Sequence, residues 1–403
     1  MSLSYILEME KDNRASLIKK KIVMHCIYNV TSTIPELSKV LKISIPTVAK
    51  IINEMCNEGI LNNLGKIPKK EGRRPSMYGL NPFGGYFLGV DIKRDYINIG
   101  LSNFSGEIIC QSFFVPCSFV DDSMKSLSEI CKIISDFIVA SQIPINKICN
   151  GCVNISGRVN PFSGYSYSRF NFADFPLSCI ISEKIGIRIC IDNDTRAMTY
   201  GELFQGCVNG EKNVLYVNLG WGLGLGIIIN GVVYEGKSGF AGELGHMSVF
   251  DNEILCHCGK KGCLETEVSG MALHRQLIER VKAGQSSILT SQIENDYMSL
   301  SLSDIVDAIN SEDMLCIELI EEIGRKLGKQ IAGLINVFNP ELVIIGGALS
   351  AAEEYLLHPI RLAIKKHSLN LVNNDSKIVC SNLHEKAGII GACMIARNRL
   401  FEI

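Results

Sequence analysis

Three cysteines fall within eight residues, Cys256, Cys258 and Cys263, and His246 precedes them by ten. Three thiolates and one imidazole within tetrahedral reach suit Zn²⁺, which prefers sulfur and nitrogen ligands. Four protein ligands close such a site, so the expected role of the ion is structural and not the activation of water. His257, between two of the cysteines, is a competing donor expected to point away. Gly259, Lys260, Lys261 and Gly262 make this a polar loop, which argues against a chance cluster of core thiols. Two carboxylates bracket it, Glu243 three residues before His246 and Glu265 two after Cys263. A metal would fix both acceptors in space, as recognition of neighbouring hydroxyls requires.

A second set of chemical groups lies near the amino terminus. Residues 1–80 carry 13 Lys and Arg against 7 Asp and Glu, which leaves 27 against 35 in the rest of the chain. A basic first fifth on an acidic body suggests a small nucleic-acid-binding module. The elements that would position its charges are legible. Ile18, Ile22, Val23, Ile27 and Val30 give one amphipathic stretch, and a short helix is expected over 36–41 after Pro35. Lys42, Ile43 and Ser44 form a tight turn, with Ser44 capping a helix over 46–58 that ends at Gly59 in a left-handed cap. Val48, Ile52 and Met55 face inward on that helix, while Thr47 and Lys50, with Ile51 and Glu54, face outward. A hairpin follows, turning at 63–66 and carrying Lys66, Lys69, Lys70, Arg73 and Arg74. Three helices and a basic hairpin describe a winged helix-turn-helix, with Thr47 and Lys50 at base edges and the five hairpin cations at phosphates or in the minor groove.

Residues 81–85 read as a linker. Beyond it, short β runs (87–92, 96–101, 107–110, 148–153) and a helix over 123–140 are followed by a second round: strands at 214–218, 225–229 and 342–345, a strand or turn at 232–234 and a long helix over 312–338. Two such rounds predict two α/β lobes, 86–194 and 195–403, with the last helix packing back on the first lobe. Residues 284–300 read as a polar surface loop. Most of the 16 cysteines stand singly in apolar runs, where a reduced thiol packs as a small hydrophobe. The chain starts without a signal pattern, and no apolar run approaches the roughly 18 residues that span a bilayer. A cytoplasmic protein with no membrane association is expected.

These motifs together resemble the ROK family (repressor, open reading frame, kinase) over nearly the whole chain. Residues 239–246 are similar to its glycine-rich segment ending in Glu-x-Gly-His, and residues 256–265 to its zinc signature. Residues 191–194 resemble its Asn-Asp motif, Gly157 and Arg158 its sugar-facing loop, and the Gly-Arg-Arg-Pro of 72–75 the wing of its N-acetylglucosamine and xylose repressors. The resemblance implies an actin-like, two-lobed sugar-kinase (ribonuclease H-like) fold behind the winged helix. It implies a sugar pocket lined by Gly157, Arg158, Asn193, Asp194, Glu243, His246 and Glu265, with Zn²⁺ held by His246, Cys256, Cys258 and Cys263.

The family holds both kinases and regulators. Its kinases read Asp-x-Gly-Gly-Thr at the first phosphate loop, where this chain has Asp91-Ile92-Lys93-Arg94-Asp95. Backbone N–H groups cannot approach phosphate closely without those glycines, although Lys93 and Arg94 could still attract it. Gly220, Gly222 and Gly224 keep an alternating pattern around Trp221, and Gly346-Gly347 resembles the nucleotide-base segment, so all are expected to be vestigial nucleotide loops together with Asp91. Asp194, the family's general base, is then reduced to a ligand of a sugar hydroxyl. The expected function is a sugar-responsive repressor of carbohydrate-utilisation genes. It would bind double-stranded operator DNA as a homodimer or dimer of dimers, with a monosaccharide or sugar phosphate as effector. The alternative is an active ATP-dependent sugar kinase. A winged domain that binds protein is the third possibility.

Overall fold

The computed structural model describes residues 13–66, 75–117, 122–172 and 174–401. Lys69, Lys70, Arg73 and Arg74 lie outside the described residues.

Helix α1 (Arg14–Asn29) starts at Asn13, whose side chain accepts from the Ser16 N–H. Strand β1 (Thr31–Thr33) leads into α2 (Ile34–Leu41) through a capping box between Thr33 and Glu36. Lys42, at φ +56°, turns the chain, and Ser44 caps α3 (Ile45–Asn57). Gly59, at φ +75°, supplies the left-handed exit expected of it. Strands β2 (Leu61–Lys66) and β3 (Ser76–Leu80) pair antiparallel, and β1 adds to β3 to complete a three-stranded sheet. Ile51 departs from expectation: it is buried with Val48, Ile52 and Met55, since four apolar residues of α3 turn toward the module's core. Asn53 and Asn57 take the exposed face instead, alongside Thr47 and Lys50.

The segment read as a linker is structured. Pro82–Gly84 form a 3₁₀ turn capped by Asn81, whose side-chain amide donates to the Gly59 carbonyl at 2.7 Å. Phe104 N–H in turn donates to the Pro82 carbonyl.

The chain divides into two compact units, the first ending at Asp194 and resuming at Gly388, the second being Thr195–Ala387. The first unit contains β4 (Tyr86–Ile92), β5 (Tyr96–Asn103), β6 (Ile108–Pro116), helix α4 (Met124–Ala140), β7 (Ile148–Ile155), the small hairpin of β8 (Val159–Asn160) and β9 (Tyr165–Ser166), helix α5 (Leu177–Ile185) and β10 (Ile189–Asn193). Its sheet order is β10-β7-β4-β5-β6, with β4, β5 and β6 antiparallel and β4, β7 and β10 parallel. Helix α6 (Asp194–Gln205) opens at the boundary between the units.

The second unit repeats that sheet. Strands β11 (Val214–Leu219), β12 (Leu223–Ile229) and β13 (Val232–Val233) are antiparallel, and β14 (Leu342–Gly346) and β15 (Lys377–Cys380) continue parallel from β11. The order β13-β12-β11-β14-β15 matches the first sheet strand for strand, as an actin-like fold requires. Helices α7 (Gly270–Lys282), α8 (Thr290–Asp296), α9 (Leu302–Asn310), the 25-residue α10 (Met314–Phe338) and α11 (Glu354–His367) build the larger apolar core, followed by the one-turn α12 (Asn370–Asn373). Residues 284–300 are not the loop expected. They hold α8 and bury Leu289, Ile293 and Leu300, three apolar side chains spaced widely enough to look polar in sequence. The last helix, α13 (Lys386–Phe401), lies mostly in the first unit, where Asn150 and Asn154 donate to its Ala396 and Gly388 carbonyls.

Candidate functional site

In the second unit, the loop from His246 to Cys263 is held by its backbone. Residues Leu244–His246 and Leu264–Thr266 are 3₁₀ turns, and bridges join Ser248 to Cys263 and Leu255 to Lys261. Gly262 sits at φ +73°, and a side chain there would run into the Phe250 carbonyl, so no other residue fits. His246 Nδ1 and the sulfurs of Cys256, Cys258 and Cys263 all lie within 4.8 Å of one another. Cys258 and Cys263 are 3.6 Å apart, and so are Cys256 Sγ and His246 Nδ1. A tetrahedral ion with metal–sulfur bonds of about 2.3 Å needs ligand separations of about 3.8 Å, so the four donors fit a metal. Burial pushes the Cys256 and Cys263 thiols up. Burial opposes ionisation of Cys258 too, but hydrogen bonds from the Lys260 N–H and the neighbouring thiols bring it below the ordinary thiol value.

The two bracketing carboxylates differ. Glu243 is exposed, 3.6 Å from His246 Nε2, so the ring's other nitrogen faces a carboxylate. Glu265 is 4% exposed, and its Oε1 meets His257 Nδ1 at 2.8 Å and Cys256 Sγ at 3.2 Å. Its burial disfavours the charge, yet His257, Cys256 and His246 outweigh that and keep the carboxyl below its usual range. His257 stays outside the four-donor set, yet its ring, 58% exposed, reaches back to Glu265. Its spacing gave no clue, because a residue between two ligands of a tight loop can face either side.

In the first unit, Asn193 ends β10 and Asp194 opens α6, where the helix N-terminus favours a carboxylate. Ser156 Oγ donates to Asp194 Oδ2 at 2.8 Å, and Asn193 Nδ2 donates to the Gly157 carbonyl at 2.9 Å and to Asp194 Oδ1 at 3.1 Å. Gly157 is at φ +92°, tight against Ser168, whose hydroxyl accepts from the Arg158 N–H. Ser156, Gly157 and Arg158 are exposed. These residues form one constellation of donors and acceptors at a strand end. Sequence reasoning missed its anchor: Arg399 of α13 reaches Asp192 at 2.6 Å and donates to the Pro161 carbonyl, fixing the base of β10 and the 157–161 loop together.

The loops expected as remnants of a phosphate cradle are occupied by protein. Asp91 is fully buried and pairs with Lys93 Nζ at 2.8 Å, so Lys93 does not reach out toward phosphate as its charge suggested. Only Arg94 stays outward, beside Asp95. Asp91, Asn154 and Asp192 stand in register across β4, β7 and β10. Side chains at Gly224 and Gly226 would strike the hydroxyls of Thr195 and Thr199, one turn apart on α6. Those glycines make room for a helix on β12. Gly346 faces the Tyr216 ring and Gly347, at φ +82°, abuts Asn218 and Leu219. A side chain at Gly220 would meet only Asn218, at 3.7 Å, and one at Gly222 would come within 3.3 Å of Glu265 Oε2, while the Gly220 and Trp221 carbonyls accept from Gly270 and Met271 at the start of α7. Trp221 packs on His274 at 5.5 Å between ring centres.

On the amino-terminal module, Thr47, Lys50, Asn53 and Asn57 form the exposed face of α3, and the Thr47 hydroxyl meets Ser44 Oγ at 2.8 Å. Lys66 is exposed at the end of β2. Among the described residues, no helix is long and apolar enough to cross a membrane.

Comparison with known proteins gives four relevant likenesses. A profile of the ROK family matches residues 87–399. The xylose repressor of Caldicellulosiruptor bescii is 31% identical over 93% of this chain and 94% of its own. Among solved structures, a ROK family transcriptional regulator, a homologue of the Escherichia coli Mlc protein, superposes with a TM-score of 0.79 at 28% identity, covering 96% of both chains. A ROK family glucokinase from Streptomyces griseus, solved with glucose and AMPPNP, superposes at 0.68 and 27% identity, covering 99% of its own chain but 78% of this one.

Proposed function

The chain belongs to the ROK family, and from that premise we propose that it is a sugar-responsive transcriptional repressor of carbohydrate-utilisation genes. One observation carries this reading. The repressor and regulator relatives match this chain almost end to end, whereas the glucokinase is used up while about a fifth of this chain is left over. The family profile begins at residue 87, and the residues before it carry the three helices, the sheet and the excess of positive charge.

Operator DNA is bound through α3 and the hairpin. Thr47 and Lys50 meet base edges, and Lys66, Lys69, Lys70, Arg73 and Arg74 meet phosphates or the minor groove. A homodimer, or a dimer of dimers, presents two modules to half-sites about one DNA turn (~10 bp) or a multiple apart. A monosaccharide or sugar phosphate is the effector, its hydroxyls taken by Gly157, Arg158, Asn193, Asp194, Glu243, His246 and Glu265. Paired carboxylate and amide oxygens suit neighbouring hydroxyls. Zn²⁺ held by His246, Cys256, Cys258 and Cys263 supplies cross-linking of the loop and no reaction chemistry. The protein acts in the cytoplasm.

Phosphoryl transfer is absent in this reading. The support is the Lys93–Asp91 pair together with the missing glycines of the first loop. Asp194 then serves as a hydroxyl acceptor.

Gel shift with the promoter of the protein's own operon, with and without a panel of monosaccharides and their phosphates, tests the reading. Sequence-specific retardation that a sugar alters is expected. Loss of the shift on non-promoter DNA but no response to any sugar would refute the sensor half. ATP consumption with any hexose at ~1 s⁻¹ or faster, an ordinary kinase rate, would replace the reading with the kinase alternative.

A further inference from the structure

Glu265 is a buried carboxylate with its two oxygens in different situations. Oε1 is held twice, by the His257 ring at 2.8 Å and by the Cys256 thiol at 3.2 Å. Oε2 has no hydrogen-bond partner among the described residues. It is bordered by Gly222 and Gly245, where added side chains would stand 3.3 and 3.4 Å from it. One oxygen is anchored, and the other is left to a ligand.

The His257 ring that holds Oε1 also packs edge-on against His246, 5.1 Å between ring centres.

We propose that His257 is a positioning residue for effector recognition, its ring nitrogen holding Glu265 Oε1 at 2.8 Å so that Oε2 stays aimed at a sugar hydroxyl. The inference rests on the sugar-binding reading given above. His257 touches the effector only through Glu265. It also lies outside the four-donor set, so the loop should keep its metal without it.

The experiment uses the full chain loaded with Zn²⁺. D-xylose, D-glucose, N-acetyl-D-glucosamine and their phosphates are titrated calorimetrically into wild type, His257→Phe and His257→Asn, with zinc content measured for each. Asn carries its amide nitrogen as many bonds from Cα as Nδ1 of His, so it can restore the donor, whereas Phe keeps the ring and loses it. Expected are one zinc per chain in all three proteins, sugar affinity about 10-fold weaker in His257→Phe, and affinity within about 3-fold of wild type in His257→Asn. In a Glu265→Gln background, His257→Phe should weaken binding no further. Zinc loss from His257→Phe would overturn the proposal by making His257 a ligand of the metal. Full zinc with unchanged sugar affinity would overturn it while leaving the sugar-sensor reading intact. Failure of wild type to bind any of the three sugars or their phosphates would overturn both.

Discussion

Lys93 is the residue whose removal tests most directly how the first phosphate loop has been closed. Asp91 is fully buried and Lys93 is 18% exposed, with 2.8 Å between the charges. Taking one partner from a buried ion pair strands the other charge and costs about 3–5 kcal/mol, and the partial exposure of Lys93 lowers this to about 2–3 kcal/mol. For a body of 150–250 residues, 1 kcal/mol shifts the melting temperature by about 2–4 °C, so Lys93→Ala should melt about 4–12 °C lower. Lys93→Ala/Asp91→Asn should recover most of that, because the neutral amide removes the stranded charge. The assay is differential scanning calorimetry of the full chain, with the first transition followed in both variants. A single variant melting within 1 °C of wild type would refute the pairing, and with it the argument that Lys93 is unavailable to phosphate. An equal loss in single and double variants would show that Lys93 stabilises through its alkyl stem and not its charge.

Gly226→Val should destabilise the second unit by roughly 1–3 kcal/mol or more through collision with Thr199, and Thr199→Ala should relieve part of it in a thermal melt. Removing metal with a chelator should lower the melting temperature of the second unit and abolish any sugar-induced shift, with the four-ligand loop losing its cross-link. Asp313 caps α10 through the Cys316 N–H and also accepts from the Ile288 N–H. Burial raises its pKa, but those N–H bonds outweigh it and leave the carboxyl below its usual value. A depressed folded pKa means stability that is present above the unfolded pKa of about 4 and lost as pH falls through the lower folded value. An Asn can accept only one of those two N–H bonds, so Asp313→Asn should cost about 1 kcal/mol at neutral pH, and the difference from wild type should shrink in denaturation curves taken below about pH 4. Lys50→Ala should weaken operator binding in gel shifts, whereas Glu318→Ala, on a helix of the other unit, serves as the neutral control.

The metal loop was legible because its donors crowd into eighteen residues and only one chemistry suits three thiols and an imidazole. The repeated α/β pattern was legible for the same local reason, each strand and helix carrying its own period. Glycines were harder. Gly220 and Gly224 have the same spacing to Gly222 in sequence, yet Gly224 exists for Thr195 while a side chain at Gly220 would find only an ordinary contact with Asn218. A missing side chain records that something comes close without saying what. Contacts between distant residues left no trace either: Arg399 and Asp192 lie 207 positions apart. Lys93 was misjudged because its charge was visible and the buried partner two residues away was assigned to another role.

Trp221 is the chain's single tryptophan, and it sits on the turn whose neighbour Gly222 borders Glu265. Indole emission from this protein consequently has one address. Light absorbed by that ring reports on the turn beside the metal loop with no label attached, so an event at Glu265 is read directly in the colour of its emission.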